Sequence, residues 1–204
     1  MNLQIGIDES GRGPWAGPVF ASIVVLDEKQ AEFLKEIGVT DSKKVGEKKR
    51  KLFFADIIKN SIYSKTKFFT AKQIDDMGIY IATQELIKQL VEEYFETDSS
   101  NLKSVVLIDG LFPKLILKTK SGANIGFQTV IQGDSKEVSI SAASILSKIR
   151  RDEHMLKIHE KYPNYAFDKH KGYGTKLHAE LLQKYGPCEE HRRSFKPVKK
   201  LIKN

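Results

Sequence analysis

A chain of 204 residues with 34 Lys and Arg against 26 Asp and Glu, a net charge of +8, is long enough for one well-buried core plus a small appendage. Its one cysteine, Cys188, excludes an internal disulfide and a thiolate zinc site, and points to a reducing, cytoplasmic setting. The longest apolar stretch, residues 20–26, is strand length and excludes a membrane span, and the opening Met1-Asn2-Leu3-Gln4 lacks the basic and apolar runs of a secretory signal.

Residues 3–8 read as an apolar strand that runs into two adjacent carboxylates, Asp8 and Glu9, and then into the turn Gly11-Arg12-Gly13-Pro14. Two acids together at the end of a buried strand repel each other and lose hydration, so stability gives little reason for them. A divalent cation removes the conflict, because Mg²⁺ or Mn²⁺ takes hard oxygen ligands. Side chains alternate across a strand, so the pair converges only where the strand ends and the chain twists into the glycines. The plain alternative is a solvated dipeptide at a strand end. A phosphate-binding P-loop fails here, since Arg12 and Gly13 stand where that loop needs Lys and a hydroxyl residue.

Residues 19–26 form the second predicted strand, and 27–37 a short helix. The polar loop Asp41-Ser42-Lys43-Lys44 precedes a basic amphipathic helix over 47–59. Residues 62–69 alternate as a third strand. Residues 71–94 read as one helix, with Ile74, Met77, Ile81, Leu86 and Leu90 on its apolar face and Gly78 as a weak point. Residues 104–109 are a short buried strand ending on Asp109, residues 127–131 another strand, and 138–162 a long helix. After Pro163 basic residues alternate with glycine and proline around one short helix at 176–185, which sets a core–appendage boundary near 163–170. Strands followed by helices imply a mixed α/β sheet covered by helices, in which ligand sites gather at strand ends. Asp8 and Asp109 each end a strand, so neighbouring strands bring them together.

The other acids have plain alternatives. Asp109-Gly110 is a common turn pair. Asp134 stands where it can cap the following helix, with Glu137 completing a capping box. Asp152 shares a helix face with Ile145, Ile149 and Leu156, which favours pairing with Arg or a backbone group over metal ligation. From residue 169 onward ten Lys or Arg oppose three Glu, a local charge of +7. A basic tail beside clustered acids suits an enzyme that holds a polyanion, although a solubilising surface has the same composition. His170, His178 and His191 with Cys188 match no common zinc spacing.

The segments GIDESGRGPWAGP, LIDG, GDSKEVSISAASILSKIRRD and HKGYGTKLH, followed by HRRSF, closely resemble ribonuclease HII, the type 2 ribonuclease H family, in order along nearly the whole chain. The resemblance implies a ribonuclease H-like α/β fold, a mixed sheet flanked by helices over residues 1–165, with a small basic helical segment over 166–204. It implies that Asp8, Glu9, Asp109 and Asp134 hold two Mg²⁺ or Mn²⁺ ions. The activity implied is hydrolysis of the RNA strand of RNA–DNA hybrids and of single ribonucleotides in duplex DNA, by a monomer. It lays the backbone of Gly11, Arg12 and Gly13 on the ribose at the cut and Tyr173 on the deoxyribose to its 3′ side. Lys43, Lys44, Lys171 and Arg12 are candidate phosphate contacts. Three departures stand out: Ser10 where Ala is usual, Ala166 where Gly is usual, and Gln132 where Lys is common. Two rival readings remain at this point, a two-metal DNA nuclease on the same fold and a non-catalytic hybrid-binding module.

Overall fold

The computed structural model describes residues 3–98 and 104–202. Met1, Asn2 and the tail residues Lys203 and Asn204 lie outside them. Strands β1 (Gln4–Ser10), β2 (Val19–Leu26), β3 (Tyr63–Phe69), β4 (Val106–Asp109) and β5 (Phe127–Val130) form one sheet in the order β3-β2-β1-β4-β5. The first three strands are antiparallel neighbours, and β4 and β5 run parallel to β1. This is the mixed sheet the sequence predicts. All eight residues of β2, Val-Phe-Ala-Ser-Ile-Val-Val-Leu, are buried, as a continuous apolar run requires when both sheet faces are covered.

Eight helices accompany the sheet among the described residues: α1 (Glu28–Glu36), α2 (Glu47–Asn60), α3 (Ala71–Met77), α4 (Ile79–Thr97), α5 (Val138–Lys161), α6 (Phe167–His170), α7 (Lys176–Tyr185) and α8 (Lys196–Ile202). Leu86, Leu90 and Val91 of α4 pack against Ile5, Ile7 and Ile23 on one face. On the other face Val24 and Leu26 meet Leu34, Phe53, Ile57, Ala142 and Leu146 from α1, α2 and α5. Each such buried aliphatic side chain stabilises the fold by about 1.5–3 kcal/mol. The start of α5 lies directly on β1. A β-carbon added to Gly6 would sit 2.2 Å from the carbonyl carbon of Ser139, so only glycine permits this approach, and it brings α5 beside Asp8.

Three expectations change. The first strand continues to Ser10, because Asp8, Glu9 and Ser10 pair with Ser22, Ala21 and Phe20. The acid pair therefore lies within the strand and not beyond its end, yet both side chains line one cleft. The single helix expected over 71–94 divides at Gly78, whose φ of 80° ends α3 and opens α4. Asp134 caps no helix. It sits in a 3₁₀ turn, Gly133–Ser135, while α5 starts at an N-cap, Glu137, that makes no side-chain cap bond.

The segment after α5 folds back onto residues 11–18. Met155, Ile158, Tyr165 and Phe167 close a third cluster around Ala16. Trp15 N–H donates to the Gly172 carbonyl at 2.9 Å, and Arg192 N–H to the Trp15 carbonyl at 2.8 Å. Ala166 adopts φ 52°, a left-handed conformation that costs an alanine energy and a glycine almost nothing, which explains the usual glycine there.

Candidate active site

Register alone brings two acids together. Ile7 of β1 pairs with Ile108 of the parallel neighbour β4, so Asp8 and Asp109 follow side by side. Asp134 arrives from the turn after β5, and Asp109 fixes that turn by accepting the Gly133 N–H at 2.7 Å. Carboxylate oxygens of Asp8, Asp109 and Asp134 lie within 4.8 Å of one another, the only convergence of three such metal-donor residues among those described. Asp8 and Asp134 are each 5 % exposed.

The electrostatics are unfavourable without a cation. Burial, then the charges of Glu9 and Asp109, hold the Asp8 carboxyl well above the ordinary carboxylate range, despite a hydrogen bond from Ser144. Burial also raises Asp109, against the Gly133 amide. Glu9 is raised by burial even though Arg12 Nη1 stands 3.2 Å from its Oε1. Its second oxygen, Oε2, is buried without any partner. Glu9 is not among the three carboxylates that converge, but it lines the same cleft as Asp8, and together these acids offer hard-oxygen donors suited to divalent cations.

The expected substrate residues surround this cluster unequally. Lys43 Nζ lies 3.2 Å from Asp134 Oδ2 and Lys44 Nζ donates to Ser135 Oγ at 3.0 Å. Their loop is tied to α5 by a buried 2.8 Å hydrogen bond between Ser42 and Ser144 hydroxyls. A cleft of about 190 Å³ is lined by Asp8, Glu9, Arg12, Lys43, Lys148 and Tyr173, among others. Lys171 is not in it. Its ammonium folds back onto the Asp168 carbonyl, and it lines a neighbouring cleft with Arg50 and Lys51.

The two turn glycines differ. Gly11 has φ 91°, and a β-carbon there would lie 2.2 Å from Arg151 Nε, so the protein's own packing requires glycine. A β-carbon on Gly13 would meet nothing within 4 Å. Tyr173 is half-exposed over the Arg151 guanidinium, 5.4 Å from ring centroid to Cζ.

The chain matches the family model described as Ribonuclease HII over residues 5–198. The chain belongs to the ribonuclease HII family. It is 48 % identical over 195 residues to a ribonuclease HII of Caldicellulosiruptor bescii, covering 93 % of this chain and 84 % of that protein. It is 41 % identical over 201 residues to one from Idiomarina loihiensis, covering 98 % of both. Among solved structures, ribonuclease H2 from Pyrococcus horikoshii superimposes with a TM-score of 0.79 at 27 % identity, covering 98 % of this chain and 97 % of that one. Membership of the ribonuclease HII family makes the chain a nuclease of the ribonuclease H class, and the sheet order and flanking helices agree with that fold. No helix among the described residues is long and apolar enough to cross a membrane.

Within this family framework several side chains have roles that sequence pattern does not reveal. Asp152 is not one of these: as its helix face suggests, it pairs with cations, with Arg50 at 3.9 Å and, closer, with Lys148 one helical turn back at 2.5 Å. Ser144 is legible only as part of a serine-rich helix start, although Ser139, Ser141, Ser144 and Ser147 all turn into the protein. Arg192 counts in the sequence as tail charge, yet it is fully buried. The histidines pack together without forming a metal site. His191 Nδ1 accepts the Cys188 N–H, so its Nε2 carries the proton and donates to His178 Nε2 at 3.1 Å. His178 Nδ1–H in turn donates to the Tyr173 carbonyl at 3.0 Å, and no ring nitrogen of this pair is left for an ion.

Proposed function

We propose that the chain hydrolyses the RNA strand of RNA–DNA hybrids and cuts on the 5′ side of single ribonucleotides embedded in duplex DNA. The observation that carries this reading is the buried, mutually repelling trio Asp8, Asp109 and Asp134 beside an open-faced glycine turn. Asp8, Glu9, Asp109 and Asp134 are the residues to hold two divalent ions, Mg²⁺ or Mn²⁺. Such ions supply charge neutralisation and water activation for an in-line phosphoryl displacement.

In the reaction a water oxygen bonds to phosphorus as the bond from phosphorus to the 3′ oxygen breaks. The incoming water loses a proton, the leaving oxygen gains one, and the ends are a 5′-phosphate and a 3′-hydroxyl. The protein's own groups orient this event. The Gly133 amide holds Asp109, Ser144 holds Asp8, and Lys43 and Lys44 present ammonium groups at the rim for phosphate oxygens. Arg12 and Lys171 extend that phosphate-binding set. The backbone of Gly11, Arg12 and Gly13 reads the ribose, whose 2′-hydroxyl distinguishes RNA from DNA. Tyr173 covers the following deoxyribose. We take the working form to be a monomer in a reducing cytoplasm, in keeping with a single, partly buried cysteine.

The test is incubation with a duplex carrying one ribonucleotide, alongside an all-DNA duplex and an RNA–DNA hybrid, with and without Mg²⁺ or Mn²⁺. Metal-dependent cutting 5′ of the ribonucleotide, with the all-DNA duplex intact, is expected. Cutting of all-DNA would select the DNA-nuclease reading, and binding without cutting the non-catalytic one.

A further inference from the structure

Among the described residues, two buried arginines make no ion pair, with Asp75 and Asp152 the acids that act on them from beyond contact distance. Arg151 and Arg192 are both 0 % exposed. Among the described residues the arginines in ion pairs are Arg12, Arg50 and Arg150. Removing a guanidinium from water with no counter-ion costs several kcal/mol, and an apolar side chain of similar volume is usually as stable or better. Packing alone therefore gives no reason for Arg192.

Its hydrogen bonds give one. Nη2 donates to the Gly11 carbonyl at 2.6 Å, Nη1 to the Arg12 carbonyl at 2.9 Å and Nε to the Gly17 carbonyl at 2.9 Å. A trans peptide is planar, with its C=O and N–H pointing in opposite directions. The Gly11 carbonyl shares its peptide with the Arg12 N–H, and the Arg12 carbonyl with the Gly13 N–H. Pulling both carbonyls inward onto Arg192 turns both N–H groups outward. Neither amide makes a hydrogen bond among the described residues, and the space beside Gly13 is open. Two adjacent outward amides form a site for a hydroxyl or phosphate oxygen.

We propose that Arg192 is the positioning residue for ribose selection: from the C-terminal segment it grips the Gly11 and Arg12 carbonyls and aims the Arg12 and Gly13 amides at the sugar of the strand to be cut. The proposal rests on the reading above that this turn touches that ribose. Arg151 braces the other side. It donates to the carbonyls of Pro18 at 3.1 Å and Lys171 at 2.8 Å, tying the turn to the loop that carries Tyr173. Burial and the nearby Arg151 charge push Arg192 down to about 9, so it is still protonated at neutral pH. Ribose selection thus depends on a residue that touches neither the acids nor the sugar.

The experiment measures affinity by fluorescence anisotropy for two duplexes, one all-DNA and one with a single ribonucleotide, in an Asp109→Asn background that prevents cutting. The parent should prefer the ribonucleotide duplex. Adding Arg192→Lys keeps the positive charge but cannot bridge three carbonyls. It should reduce the preference at least fivefold while all-DNA affinity stays within twofold. A folded Arg192→Lys variant with full preference, or with equal losses on both duplexes, overturns the proposal. A parent with no preference sinks the ribose-reading turn itself, and with it this inference. Should the lysine variant not fold, nitrogen NMR on the unmutated chain decides. The two Arg192 Nη groups should give separate, slowly exchanging proton signals before substrate is added, and signals averaged by free rotation overturn the proposal.

Discussion

At the scale of single residues, Asp109 carries opposite signs for stability and activity. Its carboxyl is raised by burial, so the native protein binds that proton more tightly than the unfolded chain does. Below the ordinary carboxylate value, about 3.9, both states are protonated and stability is unaffected. As pH rises, the unfolded chain ionises first, and stability falls until the native carboxyl ionises too. Asp109→Asn removes this penalty at pH 7 and retains an acceptor for the Gly133 amide. We expect cleavage to be lost and the metal-free melting temperature at pH 7 to hold or rise slightly, with the gain vanishing near pH 4. Calorimetry at both pH values, with a chelator present, checks it; a clear fall at pH 7 would mark Asp109 as structural. The two glycines of the turn separate fold from function in the same way. Gly11→Ala forces a β-carbon onto Arg151 at φ 91° and should destabilise the chain by a few kcal/mol, roughly the cost of an overpacked and strained site. Gly13→Ala meets open space, should fold as well as the parent, and should lose most cleavage by blocking the sugar. A fully active Gly13→Ala enzyme would remove this position from substrate contact.

At the scale of elements, the turn between β5 and α5 decides what Asp134 is for. The spacing of Asp134 and Glu137 in the sequence fits a capping box, whose loss on substitution by Ala typically costs ~1 kcal/mol. In the fold the helix begins at Glu137 without a side-chain cap, and Asp134 turns toward the other acids. Asp134→Ala should therefore change helix content and melting temperature little while abolishing turnover, measured by circular dichroism and single-turnover cleavage. A loss of about 1 kcal/mol with activity retained would restore the capping role. Sheet strands, the α5 helix and the meeting of Asp8 with Asp109 are legible in the sequence because hydrophobic period and strand adjacency are local signals. The end of β1 is not, because its last three pairs depend on β2 residues ten to fourteen positions further along. Gly78 is legible only as a weak point, since its residue type allows a φ of 80° without requiring it. Partner choice for buried arginines and serines lies wholly in tertiary packing. Charge counting therefore treats Arg192 as surface.

At the scale of the whole molecule, the C-terminal segment does two separable things. Its interior holds the loop of residues 11–18 and, through the His191–His178 relay, the Tyr173 carbonyl. Burial holds His178 down to about 4 and His191, which also faces His178, down to about 3. The unfolded chain takes up these protons near pH 6.5, so stability falls as pH drops from there toward 4. The raised acids of the active site act in the opposite direction over the same range. His178→Gln should remove the His178 share of this acid sensitivity, read from melting temperatures between pH 7 and 4.5; an identical pH dependence in that variant would refute the relay. The exterior of the segment carries the charge. Of its last cations, Arg192 is buried, whereas Arg193, Lys196, Lys199 and Lys200 are exposed. Deleting the segment would confuse the two roles, because Arg192 and the core residue Val198 would go together. Replacing Lys196, Lys199 and Lys200 with Gln leaves the interior intact. If these lysines meet phosphate, each ammonium removed should lower the slope of log affinity against log salt by about 0.7–0.9, and hybrid binding should weaken most at low salt. Melting temperature should not move. A slope equal to the parent's, measured from 50 to 300 mM salt (a range on the order of that used for counterion release), would assign the exposed charge to solubility and leave substrate binding to the cleft and its rim.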